Sequence, residues 1–409
     1  MAMKHTRLAL VAALLVIGLA PLAAQDWPQW RGPARDGLIR GFKEPAAWPK
    51  ELTKRWNVEI GPGYATPLVV GDRLYVFTRQ GDDEVLQALD PATGKAVWRT
   101  SYPAPFKMNP ATAPHGPGPK STPALAGNRL FTLGISGIVT AFDASTGKQI
   151  WQRPADPVEP LYHTGMSPLV VGNVVIFHVG GNDNGALTAF DVETGKVRWS
   201  WNGDGPAYSS PMLFTVSGTQ QVVTFTQKYF VGVAFDGGKL LWRRPFTTPS
   251  TTTSQTAMLY KDMVIEMGRN NGVTAFRATP GPNEWTTTNV WHTDEVSMHL
   301  SDAVESNGVL FGLSHLNSGQ YFALDLDNGR VLWKSEPRQA AHAAIARSGN
   351  TVFSLEDDGE LVVIRLNRDR FDPIARYKVA DTDTWSQPVV SGNRIFVKDV
   401  SSLTLWTIE

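Results

Sequence analysis

From about residue 50 onward, short apolar runs alternate with turn residues at a period of two, the mark of half-buried strands. One stretch reads Thr66-Pro67-Leu68-Val69-Val70-Gly71-Asp72-Arg73-Leu74-Tyr75-Val76-Phe77, and another Thr122-Pro123-Ala124-Leu125-Ala126-Gly127-Asn128-Arg129-Leu130-Phe131. Gly-Asp or Gly-Asn between two β-rich runs predicts a hairpin. The same front half returns at Ser167-Pro168, Ser210-Pro211 and Ser386-Gln387-Pro388, with degenerate copies at Ala257, Ala303 and Ala344. The spacing is about 45 residues, the length of one four-stranded sheet.

Each unit has a back half too. Asp90-Pro-Ala-Thr93-Gly94-Lys95 leads to Trp98, Asp143-Ala-Ser-Thr146-Gly147-Lys148 to Trp151, and Asp191-Val-Glu-Thr194-Gly195-Lys196 to Trp199. Asp236-Gly237-Gly238-Lys239 before Trp242 is a shortened form, and Asp325 to Gly329 before Trp333 a variant. The Asp carboxylate suits a turn, accepting backbone N–H bonds, and the glycine supplies positive φ. The tryptophans, Trp291 included, are expected to wedge between neighbouring sheets. Eight such units predict an all-β fold: an eight-bladed β-propeller of four-stranded antiparallel blades over residues 50–409. The last unit ends with a third strand at 404–408. Residues 52–58, carrying Trp56, read as its missing fourth strand, so an N-terminal strand closes the ring and removes free edges.

Composition agrees. Gly (37), Pro (28) and Trp (14) are abundant in the 409 residues and charged residues make up only 19%, which suits short strands and tight turns. Residues 1–24 read as a signal peptide, with Lys4 and Arg7 ahead of an apolar run over 8–20 that is too short to span a membrane. Residues 25–49 read as an irregular lead segment. Without residues 1–24 the chain has 36 basic and 38 acidic residues, a balance that excludes a nucleic-acid or anionic-membrane binder by bulk charge. There is no cysteine, hence no disulfide or thiolate metal site. A periplasmic or secreted monomer is expected.

The Ala-x-Asp-x-x-Thr-Gly-Lys-x-x-Trp phrase, carried by residues 88–98, 141–151 and 189–199, resembles the repeat of pyrroloquinoline-quinone (PQQ) type β-propellers. The opening Asp26-Trp27-Pro-Gln-Trp30-Arg31-Gly32-Pro33-Ala-Arg35-Asp36-Gly37 resembles a subgroup of exported propellers similar to BamB, the outer-membrane assembly lipoprotein. The BamB-like resemblance implies a non-catalytic scaffold in the cell envelope. Its partners would be envelope proteins, or a small planar or sugar-like ligand, with membrane contact only through partners. The other resemblance implies a quinoprotein dehydrogenase that oxidises an alcohol or sugar with PQQ and calcium. That family's paired cysteines are absent here, and no stretch carries its calcium ligands. No cofactor is therefore assigned, and no catalytic or metal-binding residue.

Residues just ahead of each innermost strand converge on one mouth of the central channel. They are Tyr64, Lys120, His163, Tyr208, Gln255, His299, Asp302, His342 and Trp385. Rings and imidazoles of this kind suit a planar, anionic or sugar-like ligand. A hydrated channel would tolerate the same residues without one. His299 and Asp302, three apart in an extended segment, are expected on opposite faces. Asp381 and Asp383 are expected on one strand face beside Trp385. Residues 247–253 read as a solvated connector, and 114–119 as a lid or interaction loop.

Overall fold

The computed structural model describes residues 26–105 and 107–409; the expected signal peptide lies outside the described residues. Eight four-stranded antiparallel sheets form the blades of one propeller. In chain order the innermost strands are Leu68–Val70, Ala124–Ala126, Leu169–Val171, Met212–Val216, Met258–Tyr260, Val304–Ser306, Ala343–Ser348 and Val389–Ser391. The eighth blade is completed by Thr53–Glu59, which pairs antiparallel with Ser402–Thr407, as the sequence predicts.

The repeated phrase performs its two expected jobs. Asp90 Oδ1 accepts the N–H groups of Ala92 and Thr93 (2.8 and 2.9 Å), and Asp143 and Asp191 do the same in their turns. Each Trp docks on the turn of the next blade. Trp98 lies against Gly147 and its Nε1 donates to Ala144 O (3.1 Å). Trp151 lies against Gly195 and donates to Val192 O (2.9 Å). A methyl group at Gly195 would sit 2.7 Å from the indole, on a backbone with φ +63°, so both sterics and conformation demand glycine. Trp56 lies against Gly94, so the N-terminal strand docks the eighth blade onto the first. Trp242 departs from the scheme. Blade 5 lacks the Asp-x-x-Thr-Gly turn, and Trp242 donates instead to Gln221 of its own blade (2.7 Å) while packing edge-on to Phe276.

The Ser or Thr ahead of each proline has a job that the sequence does not announce. Thr66 N–H donates to Thr122 Oγ1, Thr122 N–H to Ser167 Oγ, and Ser167 N–H to Ser210 Oγ, each at 3.0 Å. Gln387 N–H donates to Thr66 Oγ1 at 3.1 Å, across the ring closure. These hydroxyls form a belt around the channel that satisfies backbone groups no sheet can reach. Blade 6 carries Asp302 at this position, and its Oδ1 accepts the Thr256 N–H at 2.6 Å.

The lead segment is irregular, and it fills the channel. Asp26 accepts the N–H of Gly71 at the hairpin-turn face, and Trp27, fully buried, bridges to Val69. The chain then climbs, reverses through Arg31, Gly32, Arg35 and Gly37, all at positive φ, and leaves by the same face past Arg347. On the way it bonds Leu125 of blade 2, Ser167 and Pro168 of blade 3, Thr256 of blade 5, Ala303 of blade 6 and Gln387 of blade 8. Two buried guanidiniums pin it. Arg35 donates to Pro168 O (2.6 Å) and Ser167 O (3.1 Å). Arg31 donates to Ala303 O (2.6 Å) and pairs with Asp302 Oδ2 (3.5 Å).

Asp302 thus holds a buried charge whose counter-ion comes from the plug. Arg31→Met is expected to lower stability by about 3–5 kcal/mol, the cost of stranding a buried ion. Adding Asp302→Asn should recover much of that loss. Thermal melting of the two variants checks this; a double variant as unstable as the single one contradicts the pairing.

Candidate functional site

The plug makes the channel blind, and a cavity of 340 Å³ remains on the mouth side. Its floor is Trp30, whose Nε1 donates to Thr256 Oγ1 (3.0 Å). Thr256 Oγ1 in turn donates to Asp302 Oδ2 (2.9 Å). The belt, the plug and the cavity floor therefore share one buried network of Trp30, Thr256, Asp302 and Arg31.

Seven of the residues expected at the mouth line this cavity: Tyr64, Lys120, Tyr208, His299, Asp302, His342 and Trp385. His163 and Gln255 do not. His163 sits behind the wall, with Nδ1 2.8 Å from Glu159 Oε2 and Nε2 accepting the Asn109 N–H (3.3 Å). It ties two mouth loops together. Gln255 is buried, and its carbonyl accepts the Ser209 hydroxyl (2.7 Å). His299 and Asp302 share the cavity rather than facing apart, because Leu300 has φ +56° and breaks the extended run. Asp381 lies in a bend and Asp383 in irregular chain just after it, neither on a strand. Among the described residues no group of three or more His, Asp or Glu is placed to hold a metal ion.

Burial sets the protonation of the walls. Lys120 donates to Tyr162 O (3.0 Å), and burial lowers its pKa to about 8. His299 is brought down to about 4 by burial and then by the Arg269 charge, and His342 to about 4 by burial. Both imidazoles are neutral at ordinary pH. His342 stacks on Trp385 (4.7 Å, 14°) and His115 meets the same indole edge-on (4.6 Å). Burial also raises the Tyr64 phenol to about 12. Asp302 is the one carboxylate in the lining, and its oxygens are engaged by Thr256 and Arg31.

Several lining residues were not selected from sequence. Trp30 comes from the lead segment, and Arg269 follows the second strand of blade 5. Ser250 and Thr252 belong to the stretch read as a solvated connector, which instead forms a wall together with the adjoining Ser254. The loop ahead of blade 2 does reach the mouth: the short helix Pro110–His115 contributes Ala111 and His115. Only the polar, turn-rich character of these loops was visible in advance.

Compared with known proteins, the chain matches a family model described as "Outer membrane protein assembly factor BamB" over residues 47–113, 81–335 and 255–409. Outer membrane protein assembly factor BamB of Yersinia pestis is 22% identical over 364 residues, 85% of this chain and 86% of that protein. Quinoprotein alcohol dehydrogenase PedH of Pseudomonas putida is 29% identical over 305 residues, which cover 69% of this chain but only 41% of PedH. Among solved structures, quinohemoprotein alcohol dehydrogenase from Comamonas testosteroni superposes with a TM-score of 0.67 at 16% identity, over 96% of this chain and 81% of that one. At that identity the likeness shows the fold alone.

One corner behind the cavity holds a buried acid whose titration bears on stability. Asp357 Oδ1 accepts the N–H of His342 (3.0 Å), and Glu356 O accepts the Thr384 hydroxyl beside Trp385 (2.5 Å). The Glu356 side chain is buried, takes a bond from the Tyr321 hydroxyl (2.8 Å), and is pushed from 4.5 up to about 7 by burial. The folded chain holds this proton more tightly than the unfolded chain. The stability it contributes is therefore full below pH 4.5 and is lost as pH rises through about 7. Glu356→Gln is expected to be more stable than the parent above pH 7 and to match it near pH 4.5. Urea midpoints at the two pH values check this; a constant difference would show that Glu356 does not titrate there.

Proposed function

The chain belongs to the family described as outer membrane protein assembly factor BamB, and on that premise we propose that it is an exported, non-catalytic propeller that holds partner proteins in the cell envelope. The observation that carries this reading is the state of Asp302. It is the only carboxylate lining the cavity, and it is bound to Thr256 and to the Arg31 guanidinium. It serves the belt and the plug, and is not free to act as a general base or to seat a divalent cation. The neutral imidazoles do not replace it, since a pKa near 4 makes a weak base at neutral pH.

The relatives named as quinoprotein dehydrogenases support a second reading, an alcohol- or sugar-oxidising enzyme using PQQ and calcium. The lining does not supply an oxygen-rich seat for calcium. The match to PedH also leaves more than half of that protein without a counterpart here. No helix among the described residues is long and apolar enough to cross a membrane. The signal-like sequence of residues 1–24 and the outer-membrane assembly role named for the BamB relatives support export to the cell envelope.

Two measurements on the full chain test it. Cross-linked capture from envelope extracts is expected to recover a protein partner, lost when the mouth loop 109–119 is shortened. Titration with PQQ and Ca²⁺ is expected to give no dye-linked oxidation of alcohols or sugars. Stoichiometric PQQ binding with turnover would overturn the scaffold reading.

A further inference from the structure

The cavity has two chemically different halves. One is aromatic, with Trp30 as floor and Tyr64, Tyr208 and Trp385 as walls. The other lies between blades 4 and 6 and gathers hydrogen-bond donors. Ser250, Thr252 and Ser254 present hydroxyls from the strap that joins blades 4 and 5. Ser250 and Thr251 are both held at positive φ (57° and 54°), a conformation costly for non-glycine residues. The Thr251 hydroxyl is buried without a partner among the described residues. Thr252 Oγ1 lies 3.4 Å from His299 Nε2, and the His299 and His315 rings are 6.0 Å apart. Arg269 joins them in the lining, and its buried Nε has no hydrogen-bond partner among the described residues. No ion pair to Arg269 occurs among those residues either, and Asp302 faces the plug. Thr252 Oγ1 donates to Pro249 O (3.0 Å), while Ser254 Oγ accepts from Gln255 Nε2 (3.3 Å) and keeps its proton for a ligand. A guanidinium beside neutral imidazoles and the Ser250 and Ser254 hydroxyls, with no carboxylate between them among the described residues, is a donor set that matches an oxyanion.

We propose that the cavity binds a compact aromatic molecule bearing one oxyanion, with the ring against Trp30, Tyr208 and Trp385 and the carboxylate or phosphate on Arg269 and the hydroxyls of Ser250 and Ser254. The inference rests on the non-catalytic reading of the same cavity. A volume of 340 Å³ accommodates one or two rings, at the small end of ligand pockets. Lys120, on the opposite wall, already donates to Tyr162 O and is the weaker candidate for the anion. Trp30 ties the site to the plug, so the floor exists only when the lead segment is threaded.

The test is tryptophan fluorescence titration of the full chain with phenyl phosphate, benzoate and benzyl alcohol at one ionic strength. Saturable quenching is expected with at least one of the two anions, with the neutral alcohol weaker by about tenfold or more, the range of one charge-assisted hydrogen bond. Whichever anion binds more tightly identifies the source of the oxyanion. Arg269→Met should weaken the anion about tenfold and leave the alcohol unchanged. Trp30→Phe should weaken both, with melting curves confirming that each variant is folded. Equal binding of alcohol and anions, or an Arg269→Met variant that binds anions like the parent, overturns the proposal. If aryl anions fail while envelope partners are still captured, the subsite falls and the scaffold reading stands. If PQQ drives turnover, the scaffold reading falls instead.

Discussion

The ion pair of Asp302 with Arg31 is where the ring and its plug become one structure. In blades 1 to 4 the belt uses hydroxyls, which are satisfied by backbone N–H groups and carry no charge. Blade 6 places a carboxylate there instead, 9% exposed at the centre of the molecule. A charge so placed is tolerable only with a partner and a full set of hydrogen bonds. Thr256 supplies two of those bonds and the lead segment supplies the cation. Arg31 then brings Trp30 with it, and Trp30 becomes the cavity floor. Arg35, buried beside it with no ion pair among the described residues, is held by the carbonyls of blade 3; burial and the nearby Arg31 charge lower its pKa to about 9.

Between blades the recurring device is different and works at the rim. An indole over a glycine turn is a contact between blades consecutive in the chain, so each such blade orients the next. At the blade 4 and 5 boundary the partner turn is missing and Trp242 turns inward; at the blade 6 and 7 boundary Trp333 docks on Asn367 and Phe371 with no glycine beneath it, and the outer strand of blade 7 has no tryptophan. Between blades 4 and 5, Arg244 stacks on Phe276 (4.3 Å) and bonds Glu266 (2.9 Å), bridging the two. The strap that supplies Ser250, Thr252 and Ser254 connects the same two blades. A junction without the tryptophan–glycine contact is therefore the one that furnishes the polar wall of the cavity.

The electrostatics of the cavity suit recognition more than chemistry. Its acid is neutralised, its imidazoles are uncharged, and Arg269 and Lys120 remain as cations. Aromatic walls and a blind floor favour holding a ligand, and a loop-rich mouth around it favours a protein contact. This is consistent with a chain whose BamB relatives align nearly end to end, while the aligned dehydrogenase extends well beyond it.

The eight blades, the closing strand and the tryptophan–glycine docking are local or periodic features, so the sequence alone determined them: Asp90, Gly94 and Trp98 announce their turn and wedge because these lie within one hairpin. Residues ahead of the innermost strands were also readable, since the register places Tyr64, Lys120 and His342 at a common mouth whatever the details. His163 and Gln255 mark the limit of that argument, because register gives position along a strand but not side-chain direction in a loop. Only the tertiary structure decided that residues 26–39 plug the channel, that Trp30 is a floor, that Asp302 belongs to Arg31, and that the 248–254 strap is a wall. The reason is physical. Those contacts join residues far apart in the chain, in segments with no periodicity and with φ values that Arg31, Arg35 and Ser250 do not favour, and only the packed ring holds them there.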